Sequence, residues 1–299
     1  MEEKLYSSTS RFSVSMCVYE KDNPSWFRQA IDSLIAQTVK PSEIILVVDG
    51  PVPKDLNEII SGCEANEMFK VFRLPQNTGH GNARRFGLEK CSNELVALMD
   101  ADDICVPDRF EQELKIFQNS DPDIVGGNIA EFLGDVGNIV AYRTVPQEDA
   151  EIKEYMKKRC PFNQATVMFK KSSVEKAGGY IDWYCDEDYY LWLRMFLSGC
   201  RMVNTGTVLV YFRVGREMYK RRGGWKYFIS ETKLQYYMLK NKIIGLVTFF
   251  CNVAIRFLVQ IAMPDKIRKT QLFVPIEEIP FCVLVINPIP HAITNTTSV

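Results

Sequence analysis

The chain has 299 residues, 46% of them apolar, which suffices for one large α/β domain with a C-terminal appendage or for two small domains. Its 36 Lys and Arg against 37 Asp and Glu leave a formal net charge of −1, which excludes a general nucleic-acid binder. With only His80 and His291, a three-histidine zinc site is excluded, and any metal is expected on oxygen ligands.

The start, MEEKLYSSTSRF, lacks the apolar core of a signal peptide, so a cytoplasmic location is expected. The nine cysteines are odd in number, irregularly spaced and without a C-x-x-C, which reads as reduced, largely buried thiols. From the amino end, residues 12–19 (FSVSMCVY) form a β-prone run closed by a Lys-Asp-Asn-Pro turn. Residues 26–37 carry apolar side chains at helical spacing, and 43–48 (EIILVV) read as a fully buried strand ending at Asp49-Gly50-Pro51. A helix over 54–68, a strand over 70–74, a helix over 83–90 and a buried strand over 95–99 follow. Strand and helix alternating in this way predict a mainly parallel sheet flanked by helices. Ligands of such sheets gather at the carboxyl ends of the strands, where Tyr19, Asp49 and Asp100 fall. Further on, helices are expected over 108–119, 148–158 and 186–198, and strands over 123–128 and 166–169.

Four segments could carry chemistry. Met99-Asp100-Ala101-Asp102-Asp103 places alternate carboxylates just past a buried strand, a pattern that holds a hard cation against phosphates or, alternatively, caps the next helix. Asn77 to Arg85 (NTGHGNARR) is a Gly-rich turn into a helix, suited to an anion. It lacks the third glycine of a dinucleotide fingerprint, because Arg84 occupies that position, and a nicotinamide enzyme is a poor fit. Residues 184–194 (YCDEDYYLWLR) gather Asp186, Glu187 and Asp188 at a helix start, either as plain dipole capping or as a source of a carboxylate base. Met218 to Gly224 (MYKRRGG) is a basic loop that could close over a phosphate or remain a solvated turn. Residues 243–263 are mostly apolar, with Thr248, Asn252, Arg256 and Gln260 recurring as one polar stripe and basic residues on both flanks. A helix lying on an anionic leaflet and a helix packed on the domain both suit this pattern better than a membrane span.

In that order and spacing, SVSMCVYEKDNP, EIILVVDGP, NTGHGNARRFGL, ALMDADDICVPDRF, PFNQATVMFKKS, DEDYYLWLRM and MYKRRGG resemble the family 2 glycosyltransferases of the GT-A fold. The likeness covers residues 12–225 and is to the bacterial branch that builds exopolysaccharide, capsule and O-antigen, including the amylovoran-biosynthesis type. It implies a Rossmann-like nucleotide-diphospho-sugar transferase domain over 1–225, with a membrane-associating helical region and irregular tail over 226–299. By the resemblance, Tyr19 and Glu20 line the base pocket, Asp49 reads the nucleobase, and Arg84 faces nucleobase or phosphate. Asp100 and Ala101 belong to the D-x-D motif, with Asp100 on the ribose; Asp102 holds Mn²⁺ or Mg²⁺, and Arg222 assists the diphosphate. Asp188 matches the catalytic base of inverting members. Beside it, Glu187 and Trp192 are candidates for acceptor-side support, with Trp192, at core spacing, reading as packing ahead of a sugar platform. The implied donor is a UDP-hexose and the implied acceptor a lipid-linked sugar, used at the inner face of a bacterial plasma membrane. Gln164-Ala165 stands where a His-Pro pair is common, and the segment from Val274 has no counterpart in the resemblance. A nucleotidyltransferase would share the acidic rim but needs a triphosphate-gripping loop after the first strand, where residues 17–24 are not glycine-rich. A non-catalytic sugar-nucleotide-binding protein is the other alternative, and the intact Asp102 and Asp188 speak against it.

Overall fold

In the computed structural model, which describes residues 11–215 and 224–262, the first hundred residues alternate as their periodicity predicts. Strands β1 (Phe12–Val18), β2 (Glu43–Val48), β3 (Phe69–Arg73) and β4 (Leu95–Met99) lie parallel in the order β3-β2-β1-β4. Helices α1 (Pro24–Ile35), α2 (Lys54–Glu64) and α3 (His80–Lys90) connect them.

The continuous apolar run of β2 is explained by burial on both faces. Ile44, Leu46 and Val48 enter one core with Phe27, Ile31, Leu34, Leu56 and Ile60 from α1 and α2. Ile45 and Val47 point the other way, into a second core with Ala83 and Leu88 of α3. α3 rides close on the sheet, since a Cβ on Gly87 would lie 2.7 Å from Ser15 Oγ.

Beyond β4 the sheet becomes mixed. β5 (Ile104–Cys105), α4 (Arg109–Ser120), β6 (Ile124–Phe132), β7 (Ile139–Arg143) and α5 (Asp149–Tyr155) come next. A 3-10 turn (Gln164–Thr166), β8 (Met168–Lys170), α6 (Lys171–Lys176), α7 (Glu187–Leu197) and β9 (Met202–Arg213) complete this part. β8 runs antiparallel to both β4 and β6, β7 is antiparallel to β6, and β5 is antiparallel to β9; β6 and β9 are parallel. The parallel arrangement therefore holds for β1 to β4, and the second half of the sheet departs from it. Every described cysteine is a free thiol.

Helices α8 (Trp225–Lys240) and α9 (Leu246–Phe257), followed by a π-helical turn (Leu258–Ala262), pack on the second core. Leu234, Met238, Ile243 and Ile244 join Trp192, Tyr189 and Leu193 of α7 there. At 12 residues, or about 18 Å, α9 falls well short of the ~30 Å of a bilayer core. No helix among the described residues is long and apolar enough to cross a membrane. The polar stripe of this segment is turned inward. Asn252 donates to Lys157 O (3.0 Å) and Gln235 Oε1 (2.8 Å), while Arg256 donates to Lys158 O (3.0 Å) and pairs with Glu231 (2.9 Å). The basic loop with Arg222 and the segment from Val274 lie outside the described residues.

Candidate active site

Tyr19, Asp49 and Asp100 directly follow β1, β2 and β4, so the three share the rim that the strand pattern predicts. β2 lies on one side of β1 and β4 on the other, and the crevice opens where the strand order reverses. At the end of β1, Tyr19 N–H donates to Asp22 Oδ2 (2.9 Å), with Tyr19 half-buried and Glu20 exposed. Asn23 then caps α1 by accepting the N–H groups of Ser25 and Trp26 (2.9 and 3.2 Å).

Asp49 is buried, and its carboxylate is held by the Gly-rich turn. One oxygen accepts the Thr78 N–H and hydroxyl (2.7 and 2.9 Å), and the other accepts the Gly79 N–H (3.2 Å). The anion at the start of α3 is thus the protein's own carboxylate. Glycine is required at position 50, where φ is +90° and a Cβ would lie 2.6 Å from Asn77 N.

Arg84 corrects its expected role, because it lies beneath the rim with 1% of its surface exposed. It donates to Ser15 O (2.8 Å) and Met99 O (2.9 Å), bridging β1 and β4, and pairs with the Asp100 carboxylate. Burial favours loss of its proton, but Asp100, together with Cys17 and Tyr180, more than offsets this and holds the guanidinium charged. Through that pair Arg84 fixes Asp100 instead of presenting a face to a ligand.

The acidic turn splits into three environments. Asp100 rests on Arg84, Asp102 is half-buried, and Asp103 is wholly buried, with the small Ala101 packed between the first two. Asp103 Oδ1 accepts the Arg213 N–H (2.8 Å), and Asp102 O accepts Arg213 Nε–H (2.8 Å). Arg213 also reaches Gly134 O (3.0 Å) and Gln29 Oε1 (2.6 Å) and lies 4.5 Å from the Phe132 ring centroid. It ties the turn to α1 and to the β6–β7 connection. Burial, then the charges of Asp102 and Asp100, push the Asp103 carboxyl well above its ordinary range. Among the described residues no group of three metal-binding side chains is gathered. Asp102 and Asp100 still offer carboxylate oxygens at a part-exposed turn, a donor set that suits a hard cation completed by phosphate oxygens and water. The residues fit such a group.

The acids at the start of α7 reach the same rim from a distant part of the chain. Glu187 Oε1 lies 3.9 Å from His80 Nε2, and His80 Nε2 in turn accepts Arg84 Nε–H at 3.4 Å. A Cβ on Gly81 would sit 3.7 Å from the Glu187 Cβ, so the first turn of α3 abuts α7. Burial, then Asp188, lift the Glu187 carboxyl to about 7. Burial, then Glu231 and Asp188, lift Asp186 to about 9. Asp188, half-buried, accepts the Tyr189 N–H on Oδ1 (2.7 Å). Trp192 takes the packing role that its core spacing favours over a sugar platform. It is fully buried, 5.7 Å from the Phe162 ring and 6.3 Å from the Phe169 ring, and offers no face to a sugar. Sequence reasoning missed Arg213 because β9 itself was not read, and missed the link through His80 because a lone histidine carries no spacing signal.

The family model "Glycosyl transferase family 2" matches residues 13–177. This chain belongs to that family. The glycosyltransferase is 44% identical over 252 residues to an uncharacterized glycosyltransferase of Haemophilus influenzae, covering 83% of this chain and 92% of that one. It is 38% identical to the UDP-Gal:alpha-D-GlcNAc-diphosphoundecaprenol beta-1,3-galactosyltransferase of Escherichia coli, over 87% and 94% of the two chains. With the amylovoran biosynthesis glycosyltransferase AmsE of Erwinia amylovora it shares 34% identity, over 86% and 96%. Its fold is similar to that of S. aureus TarS 1-349 solved in complex with UDP-GlcNAc, with a TM-score of 0.61 at 16% identity over 90% and 78%.

Proposed function

We propose that this glycosyltransferase moves a hexose from UDP to a lipid-linked sugar acceptor, with inversion at the anomeric carbon, during bacterial surface-polysaccharide synthesis. It works peripherally at the cytoplasmic face of the membrane. The relatives of Escherichia coli and Erwinia amylovora, whose names give a UDP-Gal donor with a GlcNAc-diphosphoundecaprenol acceptor and a part in amylovoran biosynthesis, support this reading. The single observation that carries it is the run from Asp100 through Arg84 and His80 to Glu187, which brings the two acidic segments to one crevice.

On this reading Tyr19, Glu20 and Asp49 hold the uridine end and Asp100 the ribose, with Ala101 giving room beside it. Asp188 accepts the proton of the acceptor hydroxyl. As the new C1–O bond forms, the bond from C1 to the diphosphate breaks on the opposite face, and UDP leaves. Asp102 would hold Mg²⁺ or Mn²⁺, which when bound supplies charge neutralisation for the departing diphosphate. Arg222 assists there from outside the described residues. Glu187, beside His80, keeps the acceptor side of the crevice polar.

The test is UDP release from a panel of UDP-sugars with Mn²⁺ and a lipid-linked acceptor, for wild type and Asp102→Ala. Release by wild type and its loss in the variant are expected. A wild type that binds UDP-sugars and releases no UDP with any donor would leave a non-catalytic binding protein.

A further inference from the structure

We propose that the outward face of the α8–α9 hairpin is a docking surface for an anionic lipid bilayer. This deepens the reading above, on which it rests for the lipid-linked acceptor, by naming the surface that meets the membrane.

An amphipathic helix on a water-soluble domain turns its apolar face to the core and its polar stripe to solvent. α9 does the reverse. Asn252, Arg256 and Gln260 face the domain, where their side chains meet Lys157 O, Lys158 O, Gln235 and Glu231. Leu246, Val247, Phe250, Phe257 and Leu258 face outward, at 64%, 78%, 64%, 40% and 50% exposure. Their spacing puts them on one side of the helix. At the far end of α9, Phe257 meets Trp225 of α8 (ring centroids 6.2 Å apart), and Trp225 is itself 61% exposed. Such a surface is costly in water and suits the boundary between headgroups and acyl chains.

Charge selects the occupant. The exposed charged side chains of the hairpin are Lys226, Lys233, Lys240 and Lys242. Its one acid, Glu231, is turned inward against Arg256 and Gln260. A second copy of the chain meeting this face about a twofold axis would bring lysines toward lysines with no carboxylate to answer them. Anionic headgroups answer them directly, and the lysine stems extend past apolar surface to reach them. The hairpin is anchored to the segment that leads into α7, because Ser230, buried on the inner side of α8, donates to Tyr184 O (2.6 Å), two residues before Asp186.

The experiment is co-sedimentation of the full chain with vesicles of phosphatidylcholine alone or mixed with phosphatidylglycerol, without donor or acceptor. Wild type is expected to bind the anionic vesicles and to be released by salt. The double variant Val247→Glu/Phe250→Glu is expected to lose about tenfold or more in partitioning. Lys233→Gln and Lys240→Gln are each expected to lose about fivefold on anionic vesicles and nothing on phosphatidylcholine. Wild type that fails to bind, or a double variant that binds as wild type does, overturns the proposal. So does a dimer in solution that Val247→Glu/Phe250→Glu converts to monomer with vesicle binding unchanged, which would make a second copy the occupant. Transfer to a water-soluble acceptor separates the two readings. If it persists while vesicle binding fails, only the docking surface is lost, and if binding persists without transfer, only the transferase reading is lost.

Discussion

The two ends of the parallel strands treat buried carboxylates in opposite ways. At the amino end of β2, Glu43 accepts from the Ser13 hydroxyl (2.6 Å), Lys70 Nζ (2.6 Å), Ser92 N–H (2.6 Å) and the Ser92 hydroxyl (2.7 Å). Burial works against its charge, but Lys70 and these hydrogen bonds prevail and hold its carboxyl down at about 2. At the opposite rim, Asp103 Oδ2 and Asp186 Oδ2 are buried without a hydrogen-bond partner, and both carboxyls are raised. Glu187 joins them at about 7. The difference separates the two ends: the amino end is fully satisfied and serves stability, while the rim keeps acids under tension, as the proposed handling of a substrate's charge and proton would require.

Among substitutions at the acidic turn, the largest effect is expected at Asp102. Asp102→Ala should lower transfer by about a thousandfold with an unchanged melting temperature, measured by UDP release beside thermal unfolding. A matching loss of stability would make this rim acid structural, and the contrast would fail. Arg84 belongs to the rim by position and to the interior by burial. Arg84→Met leaves Asp100 uncompensated and removes the bridge between β1 and β4, and should cost about 3 kcal/mol in urea unfolding.

Glu43→Gln should cost about 2 kcal/mol near neutral pH. The native pKa of about 2 lies below the ordinary 4.5, so this stability is present above pH 4.5 and is lost as pH falls through 2. The gap between variant and wild type in pH-dependent unfolding should close over that window. Asp186 has the opposite sign. Its native pKa of about 9 lies above the ordinary 3.8, so its contribution is full below pH 3.8 and is lost as pH rises through 9. Asp186→Asn should therefore raise the melting temperature, by roughly 2–4 °C at alkaline pH and by nothing at pH 3.

Much of this architecture is legible in the chain itself. The buried run of β2 and the helical spacing of α1 are periodic signals strong enough to mark the first half of the sheet, and with it the rim that holds Tyr19, Asp49 and Asp100. The second half is less legible for physical reasons. β9 is interrupted by Asn204, Thr205, Gly206 and Thr207, where its register with β6 shifts, so its apolar pattern breaks midway. β5 has two residues, and the antiparallel course of β8 leaves no mark on a pattern that is blind to direction. Periodicity also gives an amphipathic helix two faces without saying which one turns inward, and α9 turns its polar one. For Arg84, a charged side chain in a Gly-rich turn reads as exposed; only the carbonyls of Ser15 and Met99, brought together by the sheet, make its burial possible.

The most direct test of the account is the comparison of Asp188→Asn with wild type in UDP release from the preferred UDP-sugar at saturating lipid-linked acceptor. The account predicts a fall in kcat of about 100-fold to 10,000-fold, with donor KM and melting temperature unchanged. Full transfer activity in Asp188→Asn would contradict it.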